Sequence, residues 1–160
     1  MVTQKRLHEL FSYQDGNLVR KITVAPLAKA GSIAGSPHNK GYVQVYVDGK
    51  NYLLHRLIFL WHHGYIPKII DHINGDRCDS CIENLREATY SQNQQNKKTN
   101  CTNVSGFKGA VYHPQKKKWQ GRIHIDKKKI SLGYFKTAHE AHEAYKKAAI
   151  NLFGEFARFN

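Results

Sequence analysis

An acid and an imidazole stand side by side at Asp71 and His72, where a short apolar run ends and an Asn-Gly-Asp turn begins at 74–76. A carboxylate binds hard divalent cations, and a neutral imidazole accepts a proton from water near neutral pH. The pair therefore has the chemistry to activate water beside a metal ion. Taken alone, the pair is more simply explained as a turn cap on a structural hairpin, so the rest of the chain has to separate the two hypotheses.

The composition indicates a polyanionic partner. The 160 residues contain 25 Lys and Arg against 12 Asp and Glu, a formal net charge of +13, and nucleic acid is the commonest partner of such a charge. Residues 101–160 alone carry 12 basic and 4 acidic side chains. We find no apolar run near the roughly 18 residues of a membrane span and no signal peptide, so we expect a cytoplasmic protein without a membrane partner.

Residues 1–64 are predicted to form short strands followed by one helix. The Asp-Gly-Lys stretch at 48–50 is typical of a tight turn between two strands, and the Gly/Ser/Pro-rich stretch 30–41 predicts a loop. Apolar residues in 55–63 have helical spacing, and Gly64 is suited to end that helix. The predicted strands are 18–22, 42–47 and 51–54.

A compact strand–loop–strand–helix unit is predicted to follow. The first strand, 68–73, ends with the Asp-His pair, and the second spans 85–90. A capping box at Ser91 and Gln94 predicts the start of a short helix. A single continuous helix over 85–96 is the alternative, and the cap favours the break.

The last third is predicted to be a three-stranded sheet packed on one helix. Thr137 and Glu140 form a second capping box, and Gly154 is a suitable stop. The predicted strands are 108–113, 118–125 and 129–135. With the β-rich first half, these elements predict an α+β fold.

Residues 55–96 resemble the HNH, or ββα-metal, endonucleases, in particular their homing branch. The spacing carries the resemblance, since His72 and Asn84 are 12 residues apart and Asn93 follows 9 residues later. The matching stretches are HR at 55–56, DHINGD at 71–76, IENLR at 82–86, and Asn93 and Asn96. The resemblance implies a nuclease domain over 1–97, with a β-rich leader at 1–54 and a ββα-metal core at 55–97.

The resemblance also implies a role for each site residue. Asp71 and Asn93 are implied ligands of one divalent cation, and His72 is the implied general base. Asn84 is implied to tie the loop and orient His72. Arg56 is implied either to contact a DNA phosphate or to tie its helix to the active-site unit. A carboxylate and an amide leave room for waters and phosphate oxygens, which favours Mg²⁺ or Mn²⁺ over zinc.

Cys78 and Cys81 have the C-x-x-C spacing found in zinc sites. The third cysteine, Cys101, lies in a polar stretch and no second ligand pair is evident, so we do not predict a structural zinc site. An odd number of cysteines without a secretion signal also argues against a disulfide framework.

Residues 105–160 resemble the APETALA-type (ethylene-response-factor) DNA-binding domain. The matching stretches are SGFKG at 105–109, KW at 118–119, LGYF at 132–135, TAHEAHEAYKKAA at 137–149 and FGEFARFN at 153–160. That family binds the major groove through its sheet, so the resemblance implies a DNA-binding domain at 107–160 joined by a linker at 98–106. Arg122 is the best candidate for a guanine contact. The implied DNA-binding side chains are Lys108, Gln120, Arg122 and His124, and the lysines at 116–118 and 127–129 are either phosphate contacts or solvated turn residues.

Together, the two resemblances imply a site-selective, metal-dependent endonuclease of the homing type that acts on duplex DNA, is phage-encoded and works in a bacterial host cell. The alternatives are a non-catalytic sequence-specific DNA-binding regulator derived from such a nuclease, and an RNA-directed nuclease or binder. One HNH unit has one active site, so a monomer should nick, whereas a double-strand break needs a homodimer or sequential cuts. The sequence does not decide between a nick and a double-strand break.

Overall fold

The computed structural model describes residues 2–99, 103–125 and 128–159, and only the backbone of Lys40. The sequence predictions that concern Cys101 and Lys127 lie outside the described residues.

The chain divides into two compact units, Met1–Ala88 and Thr89–Asn160. Both units combine short helices with small antiparallel sheets, which confirms the predicted α+β fold. The division precedes the linker predicted at 98–106, and the domain boundary placed there stays a prediction. In the ranges that the structure describes, no helix is long and apolar enough to cross a membrane.

Within its described residues, the first unit consists of two helices and three antiparallel sheets. The strands pair as β1–β2, β3–β4–β5 and β6–β7. In chain order the elements are α1 (Gln4–Leu10), β1 (Phe11–Gln14), β2 (Asn17–Arg20), β3 (Ser36–His38), β4 (Tyr42–Val47), β5 (Lys50–Leu53), α2 (Leu54–His63), β6 (Ile70–His72) and β7 (Leu85–Glu87).

Asp-Gly turns set two of these hairpins. Asp48 and Gly49 have φ angles of 45° and 82°, which confirms the predicted turn between β4 and β5. Asp15 and Gly16 turn β1 into β2 in the same way, with φ angles of 45° and 77°. The loop predicted over 30–41 is wrong at β3, which is a strand. A proline argues against a central strand, but β3 lies at the edge of its sheet, where a proline is tolerated.

The core of the first unit forms around α2. Leu57 and Ile58 on this helix are fully buried, together with Leu7 of α1, Leu18 of β2 and Val45 of β4. Burial of each such side chain contributes about 1.5–3 kcal/mol. The sequence prediction missed α1, which has only seven residues.

The β6–β7 hairpin is attached to the same core. Ile70 and Leu85 are buried members of the apolar cluster. The register pairs Asp71 with Arg86 and His72 with Leu85. Both strands are shorter than predicted, and the Asp-His pair closes the first of them.

The second unit is a three-stranded antiparallel sheet packed on a long helix, as predicted. The sheet order is β10–β9–β8, and a short helix precedes it. The elements are α3 (Tyr90–Gln95), β8 (Ala110–His113), β9 (Lys118–Ile125), β10 (Lys128–Phe135) and α4 (Ala138–Phe153).

Capping boxes start α3 and α4. The predicted box at Thr137 and Glu140 is confirmed. The break before α3 is also confirmed, but the cap predicted at Ser91 is wrong. Thr89 is the N-cap, since its hydroxyl accepts from the Gln92 amide at 3.2 Å and the Gln92 side chain accepts from the Thr89 amide at 2.7 Å.

The close approach of Tyr145 on α4 requires a glycine at position 109. Ile123 of β9 packs with Tyr145 and Ala149 of α4, and all three are buried. Gly109 has a φ of 80°, and a Cβ there would overlap the Tyr145 ring. Only glycine fits this approach without a rearrangement. Trp119, on the same strand face as Ile123, is half-buried.

Lys108 is held inside the second unit. Its ammonium donates to the carbonyl oxygens of Gln95 at 2.9 Å and Lys97 at 2.6 Å. Burial, with a smaller effect of the Arg158 charge, lowers the pKa of Lys108 to about 8. The ammonium therefore ties the end of α3 to the sheet, and the predicted DNA contact of Lys108 stays a prediction.

This half-buried ammonium makes the stability of the protein depend on pH. The pKa of Lys108 in the folded state lies below its ordinary value of 10.5, so the unfolded chain binds more protons between these two values. The free energy of unfolding should therefore rise as the pH rises through that window. We expect a smaller rise in Lys108→Met than in the wild type or in the exposed control Lys147→Met, measured by urea denaturation at several pH values. Equal rises in all three proteins would contradict this account.

Candidate active site

The Asp-His pair is buried at the end of β6. Asp71 is 3% exposed and His72 is 6% exposed. Buried carboxylates and imidazoles need partners, because water no longer solvates them. Contacts of Asp71 come from the neighbouring strand β7, and contacts of His72 come from elements more distant in the sequence.

Arg86 forms an ion pair with the Asp71 carboxylate. Its Nε and Nη2 atoms both lie 2.9 Å from Oδ2 of Asp71. The two residues are direct cross-strand neighbours on β6 and β7, and their side chains are 4% and 12% exposed. This ion pair fixes the orientation of the Asp71 carboxylate.

Asn84 closes the loop that follows His72. Its Oδ1 accepts from the Asn74 amide at 2.9 Å, and its Nδ2 donates to the Asp79 carbonyl at 2.8 Å. Its own carbonyl accepts from the Ile73 amide at 2.9 Å. These bonds hold both ends of the loop against the end of β6, which agrees with the loop-tying role implied for Asn84.

Replacing Asn84 by alanine should lower the free energy of unfolding by about 1–3 kcal/mol, because two hydrogen bonds of a buried side chain are lost. Amide exchange at Asn74 should accelerate at the same time. The matched control is Asn51→Ala, at an exposed position of β5. Chemical denaturation and hydrogen exchange measure both effects, and an Asn84 variant as stable as the control would exclude the loop-tying role.

The rings of His55 and Tyr42 lie beside the imidazole of His72. The His55 ring lies 5.0 Å from the His72 ring in an edge-on arrangement, and the Tyr42 ring lies 6.1 Å away. Tyr42 and His55 also contact each other at 5.2 Å, and the Arg77 guanidinium lies 5.3 Å from the Tyr42 ring. The sequence prediction missed Tyr42, because no local spacing connects a residue of β4 to the β6 pair.

Burial keeps both imidazoles neutral near pH 7. It is the main cause that lowers the pKa of His72, and the carboxylates of Asp71 and Asp79 oppose it. Burial also lowers the pKa of His55 to about 3, with the His72 charge as a smaller cause. A neutral imidazole is the form that can accept a proton from water.

Arg56 and Asn93 are the other two residues that the HNH resemblance implicates. Arg56 is half-buried on α2, and its Nη2 donates to the Pro67 carbonyl at 3.1 Å. This bond ties α2 to the chain that leads into β6, and the phosphate contact stays a prediction. Asn93 is half-buried on α3, in the second unit. The structure thus brings Asp71 and His72 together with Asn84, and the ligand role of Asn93 stays a prediction.

Cys78 and Cys81 are free thiols. Cys78 is exposed, and its Sγ lies 3.1 Å from the Gly41 carbonyl oxygen. Burial is the main cause that raises the pKa of Cys81. Within residues 2–99, 103–125 and 128–159, no cluster of three or more His, Cys, Asp or Glu side chains is arranged to hold a metal.

The second unit presents a polar sheet face. Gln120, Arg122 and His124 alternate along β9 with the core residue Ile123, so they lie on the face turned away from α4. The Gln120 amide donates to the Ser131 hydroxyl at 3.0 Å on β10. Three of the predicted DNA-binding side chains, Gln120, Arg122 and His124, therefore share one face, and their contacts with DNA stay a prediction.

Lysine also borders this face. The Lys116 ammonium lies 3.8 Å from the centre of the Tyr134 ring. Tyr134 pairs with Gln120 in the strand register, so the ring belongs to the same face. The Lys116 ammonium is therefore held at the edge of the polar sheet face.

Comparisons with known proteins agree with part of this description. Residues 52–95 match a family model described as HNH endonuclease. The chain is similar to Protein 3.8 of Escherichia phage T7, with 31% identity over 134 residues that cover 75% of this chain and 98% of that protein. No solved structure matches significantly. The HNH resemblance predicted for residues 55–96 is thus confirmed, whereas the domain bounds 1–97 and the APETALA-type resemblance stay predictions.

Proposed function

This chain belongs to the HNH endonuclease family, and we propose that it is a site-selective, metal-dependent endonuclease that hydrolyses phosphodiester bonds of duplex DNA. The observation that supports this most is the buried pair of Asp71 and His72, held at the end of β6 by Arg86 and Asn84. A hairpin that only capped a turn has no need to bury both ionisable groups beside each other.

His72 is the proposed general base. Its neutral ring can accept the proton of the attacking water, and contacts with His55 and Tyr42 restrict its orientation. Asn84 keeps the following loop closed. The protein thereby holds the proton acceptor in a fixed place before substrate binds.

The donor set fits a hard divalent cation. The fixed carboxylate of Asp71 and the carboxamide of Asn93 are oxygen donors, the type that Mg²⁺ and Mn²⁺ prefer. Arg86 contacts Oδ2 of Asp71 and orients the group. We propose that these two residues hold one such cation, which supplies stabilisation of the charge on the leaving oxygen.

The second unit is the proposed target-binding part. We propose that residues 107–160 form an APETALA-type domain that reads the major groove with the exposed sheet face. The net charge of +8 over 101–160 supports phosphate binding. The proposed contacts are Lys108, Gln120, Arg122 and His124, with Arg56 of the first unit as a further phosphate contact.

A homing enzyme encoded by a phage and acting in the bacterial host is the biological setting that we propose. The similarity to a protein of phage T7 supports the phage origin. One active site in each chain favours a nick, and a double-strand break would need a second copy or a second event.

The direct test is cleavage of supercoiled plasmid by the full chain, with Mg²⁺, with Mn²⁺ and with EDTA. We expect open circles only when a divalent cation is present, and linear DNA only if both strands are cut. A parallel reaction with folded RNA tests the choice of nucleic acid. Binding to duplex DNA without any cleavage in either metal would favour the DNA-binding regulator instead, and cleavage of RNA alone would contradict a duplex-DNA substrate.

A further inference from the structure

The connection between β2 and β3 forms an apolar arm, residues 21–33, that leaves large side chains in water. Leu27 is 98% exposed, and Val24 and Ile33 are 63% and 61% exposed. Ile22 is 47% exposed. Single exposed apolar residues are ordinary, but several on one short segment mark an interaction surface.

The tip of the apolar arm is a tight turn. The Ala28 amide donates to the Ala25 carbonyl at 2.9 Å, and the Val24 amide donates to the Ala28 carbonyl at 3.1 Å. Pro26 occupies the second position of this turn, where its fixed φ favours the turn. The Pro26–Leu27 tip is therefore preorganised, and binding it to a partner costs little conformational entropy.

The base of the arm is anchored just as firmly. The Gly31 amide donates to the Arg20 carbonyl at 2.8 Å, and the Arg20 amide donates to the Ser32 carbonyl at 3.0 Å. The Arg20 guanidinium donates to the Ile33 carbonyl at 2.7 Å. These bonds hold the arm out from the core, although burial of Leu27 would have been favourable by about 1.5–3 kcal/mol. The stability of the free protein therefore does not explain why Leu27 is left exposed.

Charge identifies the kind of partner. Residues 16–47 contain Arg20, Lys21, Lys29 and Lys40 and no Asp or Glu. An apolar tip on a segment without acidic residues is complementary to a polyanion that also offers apolar surface, such as the stacked bases between two phosphate backbones. Duplex DNA has this character, since leucine and proline side chains can enter between base pairs from the minor groove while cations meet the phosphates.

We propose that the apolar arm enters the minor groove of the DNA substrate and that the Pro26–Leu27 tip wedges between two base pairs. This inference rests on the proposed DNA-cleaving function. The wedge unstacks and bends the duplex, and the bent duplex follows the protein surface more closely. Lys29, which is exposed, meets a phosphate beside the wedge.

The test uses the full chain in EDTA, so that binding is measured without cleavage. Short duplexes carry 2-aminopurine at successive positions, and fluorescence reports unstacking. We expect the wild type to raise the fluorescence at one or two adjacent steps. Leu27→Ser should abolish this rise and weaken binding about tenfold. The matched control is Leu152→Ser, at an exposed position of α4 (52% exposed), which should behave as the wild type.

A second variant separates the charge from the wedge. Lys29→Gln should keep the fluorescence rise but reduce the slope of log K against log salt by about 0.9. Thermal melting of all variants checks that each is folded. The inference is overturned if Leu27→Ser binds and unstacks DNA as the wild type does. It is also overturned if this variant only loses self-association in sedimentation, since a second copy would then be the partner.

These outcomes are distinct from failure of the proposed function. A wild-type protein that binds no duplex at all contradicts the proposed function itself. A wild type and a Leu27→Ser variant that bind and nick equally well contradict only the wedge.

Discussion

Replacement of His72 by alanine is expected to slow DNA cleavage by about 10²- to 10⁴-fold, the range typical of a lost general base. DNA affinity should stay at the wild-type level, because the imidazole is only 6% exposed and acts on the water rather than on the DNA backbone. Plasmid nicking under single-turnover conditions measures the rate, and fluorescence anisotropy in EDTA measures the affinity. A variant that cuts within twofold of the wild-type rate would exclude His72 as the base.

Two further variants make the result specific. His72→Gln keeps a polar side chain of similar reach but removes the imidazole, and it should be as inactive as the alanine variant. His139→Ala removes an exposed imidazole from α4, where the side chain is 67% exposed, and should leave cleavage unchanged. Thermal melting shows whether loss of the ring contact between His55 and His72 has unfolded the first unit.

The sequence could predict those parts of the site that depend on local spacing. The Asp-His pair, the turn after it and Asn84 lie within 14 residues of one another, so motif and spacing were sufficient to place them on one hairpin. The Asp-Gly turn at 48–49 and the Thr137 cap were predictable for the same reason. A turn or a cap depends on a few neighbouring residues, and the rest of the fold hardly alters it.

Features that depend on contacts distant in sequence were not predictable in this way. Tyr42 reaches His72 from β4, and the Asp71–Arg86 pair depends on the register of two three-residue strands. A shift of one residue in that register would move Arg86 to the other face. The exposed tip at Leu27 also leaves no local signal, because only the finished structure shows which apolar residues the core has left uncovered.

Removal of the Asp71 carboxylate is expected to affect both cleavage and stability. Asp71→Ala leaves the Arg86 guanidinium without its buried carboxylate, and loss of one member of a buried pair typically costs about 3–5 kcal/mol of unfolding free energy. The proposed cation also loses its only charged protein ligand, so cleavage should fall below detection at any Mg²⁺ concentration. Asp48→Ala, which breaks the exposed pair with Arg6, is the control and should change stability far less. Urea denaturation and plasmid nicking provide the two measurements.

The structural and chemical roles of Asp71 can then be separated with a double variant. Asp71→Leu combined with Arg86→Met replaces the ion pair by apolar side chains of similar size, a change that is often neutral or stabilising at buried positions. We expect this protein to regain most of the stability that Asp71→Ala loses but to remain unable to nick DNA, because an apolar pair can fill the space between β6 and β7 but cannot bind a cation. Recovery of nicking together with stability would show that Asp71 serves only the hairpin, and the proposed metal site would then have to be abandoned.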